Sequence, residues 1–239
     1  MSLEAGMELG FWNERWERGE TGFHQSVLNP YLGYYYGEKG ANLGQRKRLK
    51  VFVPLCGKSL DMYWLLQNGY SVVGVECSEI AVRSFFENHE LSYRCVEYEN
   101  HIKYVAEESK KGRAHENSSL EIIQGDFFDL KRSDIGDITD VFDRASLIAL
   151  PQEMRRRYVK KVAELQKRDT RSLLVTLAYN QDEMDGPPFS VSEEEVHELY
   201  NNEFKVEKLA EKDVIENEPR FQQRGLTALT ETAYKLTRL

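Results

Sequence analysis

Two acids close apolar runs and so stand where open α/β sheets hold their ligands. Glu76 ends the run 72–75, and Asp126 follows the run 120–124 at once, in Gly125-Asp126-Phe127-Phe128. A third polar pair, Asp143-Arg144, emerges from the run 138–148. A carboxylate at the end of the second strand of a parallel βαβ unit can accept two hydrogen bonds from ribose hydroxyls, so Glu76 points to a ligand that contains a nucleoside. Asp126 can accept from an adenine amino group while Phe127 packs on the base; the alternative is that Phe127 and Phe128 cap the core. Asp143-Arg144 is either a structural ion pair or a pair aimed at the ligand crevice. The five histidines, His24, His89, His101, His115 and His197, show no i, i+4 pairing, so no metal is expected. Neither a serine nucleophile elbow nor a Cys–His arrangement is readable.

The ligand's polar tail is decided by the loop before Glu76. Gly57-Lys58-Ser59 has the ending of a phosphate-binding P-loop, but that motif needs a glycine five residues earlier, where the chain has Phe52. The three-glycine dinucleotide fingerprint is missing as well, with Gly57 standing where that fingerprint has several glycines. Nucleoside triphosphates and NAD are therefore disfavoured. S-adenosylmethionine, a nucleoside without phosphates, fits better: its amino-acid tail would meet backbone N–H groups after Leu55, its ribose Glu76, and its adenine an apolar wall.

These residues need elements to hold them. The run 51–55 reads as a strand, 60–66 as a helix that stops at Asn68-Gly69, and 72–75 as a second strand: a βαβ unit. Ser78 caps a helix to His89, with Ile80, Ala81 and Phe85 on its apolar stripe. Residues 94–119 are polar, carry the charged run 107–113, and read as an insertion with one short strand near 94–96. Strands follow at 120–124, 138–148 and 171–179, with a helix over 152–167. Asp185-Gly186-Pro187-Pro188-Phe189 must be a rigid loop, because proline fixes φ and removes a donor. Ser192 and Glu195 predict a capped helix to Tyr200. Residues 204–209 and 226–239 alternate as an antiparallel pair, with Pro219-Arg220 in the loop between. Strands alternating with helices indicate one α/β domain with a mostly parallel sheet.

Before the βαβ unit lies an arm, residues 7–24, with Phe11, Trp12, Trp16 and Phe23 broken by Gly19 and Gly22. It is either a short amphipathic helix docked on the domain or a flap of aromatics laid over a planar ligand. An aromatic-rich stretch, 31–36, and a polar linker, 37–44, follow.

The totals exclude several classes. A chain of 239 residues with no apolar run long enough for a bilayer and no visible secretory signal is expected to be a soluble cytoplasmic protein. Cys56, Cys77 and Cys95 lack metal spacing and read as reduced thiols. The net charge of −8 argues against nucleic acid as a partner, and the runs 46–48 and 155–157 read as solvated basic faces.

The segments WNERWERGETGFH, VFVPLCGKSLDMYWL, GYSVVGVECSEIAV, VFDRASLIAL and GPPFSV, in this order along essentially the whole chain, resemble the thiopurine S-methyltransferase family. The resemblance implies a Rossmann-like Class I methyltransferase fold with a seven-stranded, mostly parallel sheet, one antiparallel strand and helices on both faces. It implies methyl transfer from S-adenosylmethionine to the sulfur of a thiopurine or another aromatic thiol by a monomer with no metal; bacterial members of the family also act on selenium and tellurium compounds. Cofactor contacts are implied at Trp12, Trp16, Phe23, Leu55, Gly57, Glu76, Asp126, Phe127 and Arg144. Phe23, Arg144 and Arg220 would face the acceptor, with Arg144, Arg220 and Asp143 as the catalytic set. At Asp126-Phe127 the chain departs from the animal members, where a smaller, less acidic pair is usual. The rival readings are a halide, thiocyanate or metalloid methyltransferase on the same fold, a non-catalytic adenosyl-ligand protein and, with the glycines missing, an NAD oxidoreductase.

Overall fold

The computed structural model describes residues 9–22, 24–25, 27–40, 49–107 and 118–239, with 37–40 as backbone. Their elements are α1 (Leu9–Glu17), α2 (Pro30–Gly40), β1 (Lys50–Val53), α3 (Leu60–Gln67), β2 (Ser71–Glu76), α4 (Glu79–Asn88), β3 (Tyr93–Glu97), β4 (Ile102–Ala106), β5 (Leu120–Gln124), α5 (Arg132–Ile135), β6 (Asp140–Asp143), α6 (Gln152–Leu165), β7 (Arg171–Ala178), α7 (Glu193–Tyr200), β8 (Phe204–Asp213), α8 (Pro219–Gln223) and β9 (Thr230–Arg238). The strand order is β3-β4-β5-β2-β1-β6-β7-β9-β8. The chain divides into two compact units, residues 1–140 and 141–239.

In the first unit the expected βαβ core is present. β1 pairs with β2 in parallel, Val51 opposite Val72, and β2 pairs with β5, Gly74 opposite Ile122. All six positions of β2 are buried, as a central parallel strand requires. Ser59 Oγ accepts from the N–H of Asp61 and starts α3; Ser78 Oγ accepts from Ala81 and starts α4. Gly74 is a packing glycine: a Cβ there would lie 2.7 Å from Cys56 Sγ and 3.0 Å from Met62 Sδ.

The sheet departs from expectation in size and direction. It has nine strands rather than seven, and it is mixed rather than mostly parallel, with β3–β4, β4–β5, β7–β9 and β8–β9 all antiparallel. The two extra strands are β3 and β4, where the sequence predicts an insertion with one short strand. An edge hairpin buries little on either face, so its sequence carries no clear period. Three of the five β3 residues are exposed, and Tyr104 is the one fully buried side chain of β4, packed among Phe86 and Tyr93. Lys50 and Lys103 both reach Glu121 on β5, at 2.6 and 3.3 Å, and fix the register. The run 107–113 lies outside the described residues apart from Glu107. The polar linker expected over 37–44 is helical to Gly40, as the end of α2, and its remainder also lies outside them.

In the second unit the predicted strand 138–148 is cut short. β6 ends at Asp143, whose side chain caps a tight 3₁₀ turn over Leu147–Ala149, so half of the apolar run is turn. α6 covers the predicted helix, but Arg155 is not part of a solvated face. It is 3% exposed, donates to Leu150 O at 3.0 Å and to both carboxylate oxygens of Glu195 at 2.7 and 2.6 Å. Ser192 caps α7 as expected, accepting from the Glu195 N–H at 3.2 Å. Pro219-Arg220 opens a short helix, α8, rather than a loop, and Phe221 anchors it in a small core with Met184, Ile215, Leu226 and Leu229.

Candidate active site

The turn after β1 is the tightest piece of backbone near the nucleoside candidates. Leu55 and Gly57 both sit in the left-handed region, at φ 43° and 52°. For a branched residue such as Leu55 this costs about 1–3 kcal/mol, and it persists where the surroundings impose it. They do so here. Cys56 N donates to Val75 O at 2.9 Å, and Gly57 N donates to Glu76 Oε2 at 2.9 Å. The turn is thus tied to the carboxyl end of β2 by one backbone–backbone and one backbone–carboxylate hydrogen bond.

Glu76 is 6% exposed and surrounded by donors: Oε1 accepts from Ser78 N at 2.9 Å and from Cys77 Sγ at 3.3 Å. Burial pushes its carboxyl above the usual range, and the hydrogen bonds from Ser78, Gly57 and Cys77 pull it part of the way back. Burial also raises both neighbouring thiols, Cys56 and Cys77, and the Glu76 charge adds to the rise. Neither thiol is an activated nucleophile. A carboxylate has about four acceptor sites, and Gly57, Ser78 and Cys77 already draw on those of Glu76 while the turn holds it in place.

The arm reaches this turn. Trp16, on α1, is buried, and its Cζ2 lies 3.3 Å from where a Cβ on Gly57 would be. Lys58 Nζ stands 5.7 Å from the Trp16 ring centroid. Trp12 sits one turn earlier on α1, edge-to-face with Phe11 at 5.2 Å. Phe23 lies outside the described residues.

After β5, Gly125 N donates to Glu76 O at 2.9 Å, which brings Asp126 beside the end of β2. Asp126 Oδ1 accepts from Phe128 N at 2.8 Å and starts a 3₁₀ turn. Phe127 is 2% exposed and stacks on Phe52, centroids 6.5 Å apart. Its ring is a core side chain in this structure, which is the structural alternative named for it above.

In the second unit, Asp143 ends β6 with its carboxylate engaged. Oδ1 accepts from Ser146 N at 3.1 Å and Leu147 N at 3.4 Å, and Oδ2 accepts from Tyr158 OH at 2.6 Å. Burial raises its pKa, and these bonds lower it in part. Asp143 therefore shapes the turn that carries Arg144. Arg144 is half-buried, and its charge acts on Glu231 at the start of β9. Arg220 Nε donates to Glu218 Oε2 at 2.9 Å, and its guanidinium carbon lies 4.7 Å from the Phe221 ring centroid. Glu218 in turn acts on Glu231, so the two arginines and two glutamates form one electrostatic group. Sequence reasoning missed both acids. The available signal was a glutamate two residues before Arg220, and another inside the apolar alternation of the last strand.

The donor set suits the adenosyl ligand inferred above. It offers a buried carboxylate at the end of β2, a turn held by its own N–H groups, and a tryptophan against a glycine where a phosphate cradle would need several glycines. Among the described residues no group of three His, Cys, Asp or Glu could hold a metal, and no helix is long and apolar enough to cross a membrane.

A model of the thiopurine S-methyltransferase family matches residues 7–239. The chain belongs to that family. Thiopurine S-methyltransferase of Azotobacter vinelandii is 42% identical over 234 residues, 97% of this chain and 100% of the relative. That of Bordetella pertussis is 40% identical over 233 residues, 98% of this chain and 100% of the relative. Among solved structures, a SAM-dependent methyltransferase of Methanosarcina mazei is similar with a TM-score of 0.59 at 14% identity, covering 89% of this chain and 98% of its own. The Burkholderia thailandensis 1,6-didemethyltoxoflavin-N1-methyltransferase, solved with S-adenosylhomocysteine, has a TM-score of 0.58 at 13% identity, covering 96% of this chain and 87% of its own. These neighbours show the fold as that of the Rossmann-like methyltransferases, and this chain carries the βαβ core with the edge hairpin β3–β4.

Proposed function

We propose that the protein transfers a methyl group from S-adenosylmethionine to the sulfur of a thiol acceptor, a thiopurine or another heteroaromatic thiol. Family membership supports the reading, and the observation that carries it is Glu76, buried at the end of β2 and bonded to the N–H of Gly57. S-adenosylmethionine, when bound, supplies an electrophilic methyl on a sulfonium. The turn after Leu55 borders the amino-acid tail, Glu76 accepts from ribose hydroxyls, and the Asp126-Phe127 segment borders the base. Trp12 and Trp16 of the arm exclude water. Exclusion matters because it strips solvent from a sulfur nucleophile that water would shield.

Arg144 and Arg220 orient the acceptor by charge-assisted hydrogen bonds, an alignment term that can reach about 7–11 kcal/mol in favourable cases. Asp143 acts one step back by fixing the turn that presents Arg144. Arg220 is paired with Glu218, and Arg144 acts on Glu231. The arginines position the acceptor in its anionic form. The test is release of S-adenosylhomocysteine across a panel of heteroaromatic thiols, aliphatic thiols, iodide and thiocyanate. Turnover of the aromatic thiols is expected, and turnover of the anions alone would sink the reading. In that assay Arg144→Ala and Arg220→Ala should raise the acceptor KM by about 10-fold or more, the loss of one charge-assisted hydrogen bond, with S-adenosylhomocysteine affinity little changed for Arg220→Ala.

A further inference from the structure

Glu231 belongs to the same charged group as the two candidate arginines, and a carboxylate can perform chemistry that neither arginine can. It is the second residue of β9, in register with Leu177 near the carboxyl end of β7 and with Lys212 of β8. The carboxyl ends of the parallel strands are where ligand-facing groups collect in this class of fold. Arg144 leaves β6 at the same kind of end, and Arg220 is held by the core beneath α8.

The charged groups that act on Glu231 come from three elements. Arg144 and Lys212 favour its carboxylate, Glu218 opposes it, and burial opposes it most, so its pKa lies above the usual range. With Arg220 paired to Glu218, the group holds two guanidinium cations and two carboxylates, and Lys212 stands exposed beside it. An acceptor thiol that becomes the nucleophile there must lose a proton. Arg144 and Arg220 cannot accept it, since guanidinium stays protonated at any working pH. A neighbouring carboxylate can.

We propose that Glu231 is the proton acceptor for the thiol substrate, a catalytic residue for the reaction proposed above, on which this inference rests. The S–H bond breaks, its electron pair stays on sulfur, and an O–H bond forms on Glu231. The sulfur is then the nucleophile, held by Arg144 and Arg220, and Glu231 returns its proton to water when the product leaves.

The experiment compares two aromatic thiols on the full chain: 4-methoxythiophenol at a pH where it is protonated in solution, and 4-nitrothiophenol, which is already anionic there. Glu231→Gln should lower kcat/KM for the protonated thiol by about 100-fold or more, the lower bound of a general-base contribution, and lower it for the anionic thiol by less than about 10-fold. Glu231→Asp, which keeps the carboxyl, should fall between wild type and Glu231→Gln and guards against a variant that does not fold. A second readout needs no turnover. With S-adenosylhomocysteine present, bound 4-methoxythiophenol should show the thiolate absorbance band on wild type and lose it on Glu231→Gln. Equal losses on both thiols would mean that Glu231 only braces Arg144, and this outcome, or no loss on either, overturns the inference. A wild-type protein that binds S-adenosylhomocysteine but methylates neither thiol overturns the parent reading instead.

Discussion

Glu76 and Asp143 are the same feature met twice: an acid that ends a strand, is buried, and has its pKa raised by burial. They are put to different uses. Asp143 turns on its own loop and on Tyr158, with Oδ1 taken by two N–H groups three and four residues ahead and Oδ2 by a phenol. Glu76 reaches across to a different segment, the turn that follows β1, and so joins two strand ends into one surface. Both acids also bond to their own loops, Glu76 to Ser78 N and Asp143 to Ser146 N, so what sets Glu76 apart is its hold on the turn after β1.

The comparison breaks first at Asp143. Asp143→Ala leaves the Tyr158 hydroxyl and the Ser146 N–H buried without their acceptor, and urea unfolding should show a loss of about 3 kcal/mol or more. A loss below about 1 kcal/mol would remove Asp143 from the structural class. Glu76→Gln should do the reverse. Its charge-assisted bonds to ligand hydroxyls are worth about 1.5–3 kcal/mol, so calorimetry should find S-adenosylhomocysteine bound about 10- to 100-fold more weakly, with a smaller change in unfolding free energy.

Both acids also make a signed pH prediction. A carboxyl raised in the fold gives a stability term that is fully present below the ordinary carboxylate pKa and is lost as pH rises through the raised value. Asn and Gln carry no such term. Asp143→Asn and Glu76→Gln should therefore gain stability relative to wild type as pH rises above the ordinary carboxylate value of about 4, measured as unfolding midpoints over a pH series. A relative loss would reverse the assigned direction of the shifts. The smallest effect concerns the packing behind the Glu76 turn. Gly74→Ala would place a methyl group 2.7 Å from Cys56 Sγ and should cost about 1–3 kcal/mol through overpacking, read by the same unfolding assay. A neutral outcome would show that the turn can shift, and that Leu55 and Gly57 are less firmly held than their contacts imply.

Much of the fold was legible where burial is two-sided or a cap is local. The central strands read as apolar runs, and Ser78 and Ser192 announced their helices. The edge hairpin β3–β4 was not legible, because a strand with three of five residues exposed has no period to read. Arg155 looked like one of three surface arginines, and only the approach of Glu195, forty residues away, makes it a buried ion pair. Glu231 was missed for a similar reason: its neighbours Arg144, Lys212 and Glu218 all come from other elements.

By itself the sequence determined the family, the βαβ core, and Glu76 as the acid that closes it, because these rest on local order: an apolar run, a glycine turn, a cap and a strand-end carboxylate. The tertiary structure decided what each polar side chain meets. It placed the Phe127 ring in the core, set Asp143 to hold a turn, laid Trp16 against Gly57, and surrounded Glu231 with the charges of three other elements. Charge and burial act through space over a few ångströms, and the chain order does not record those distances.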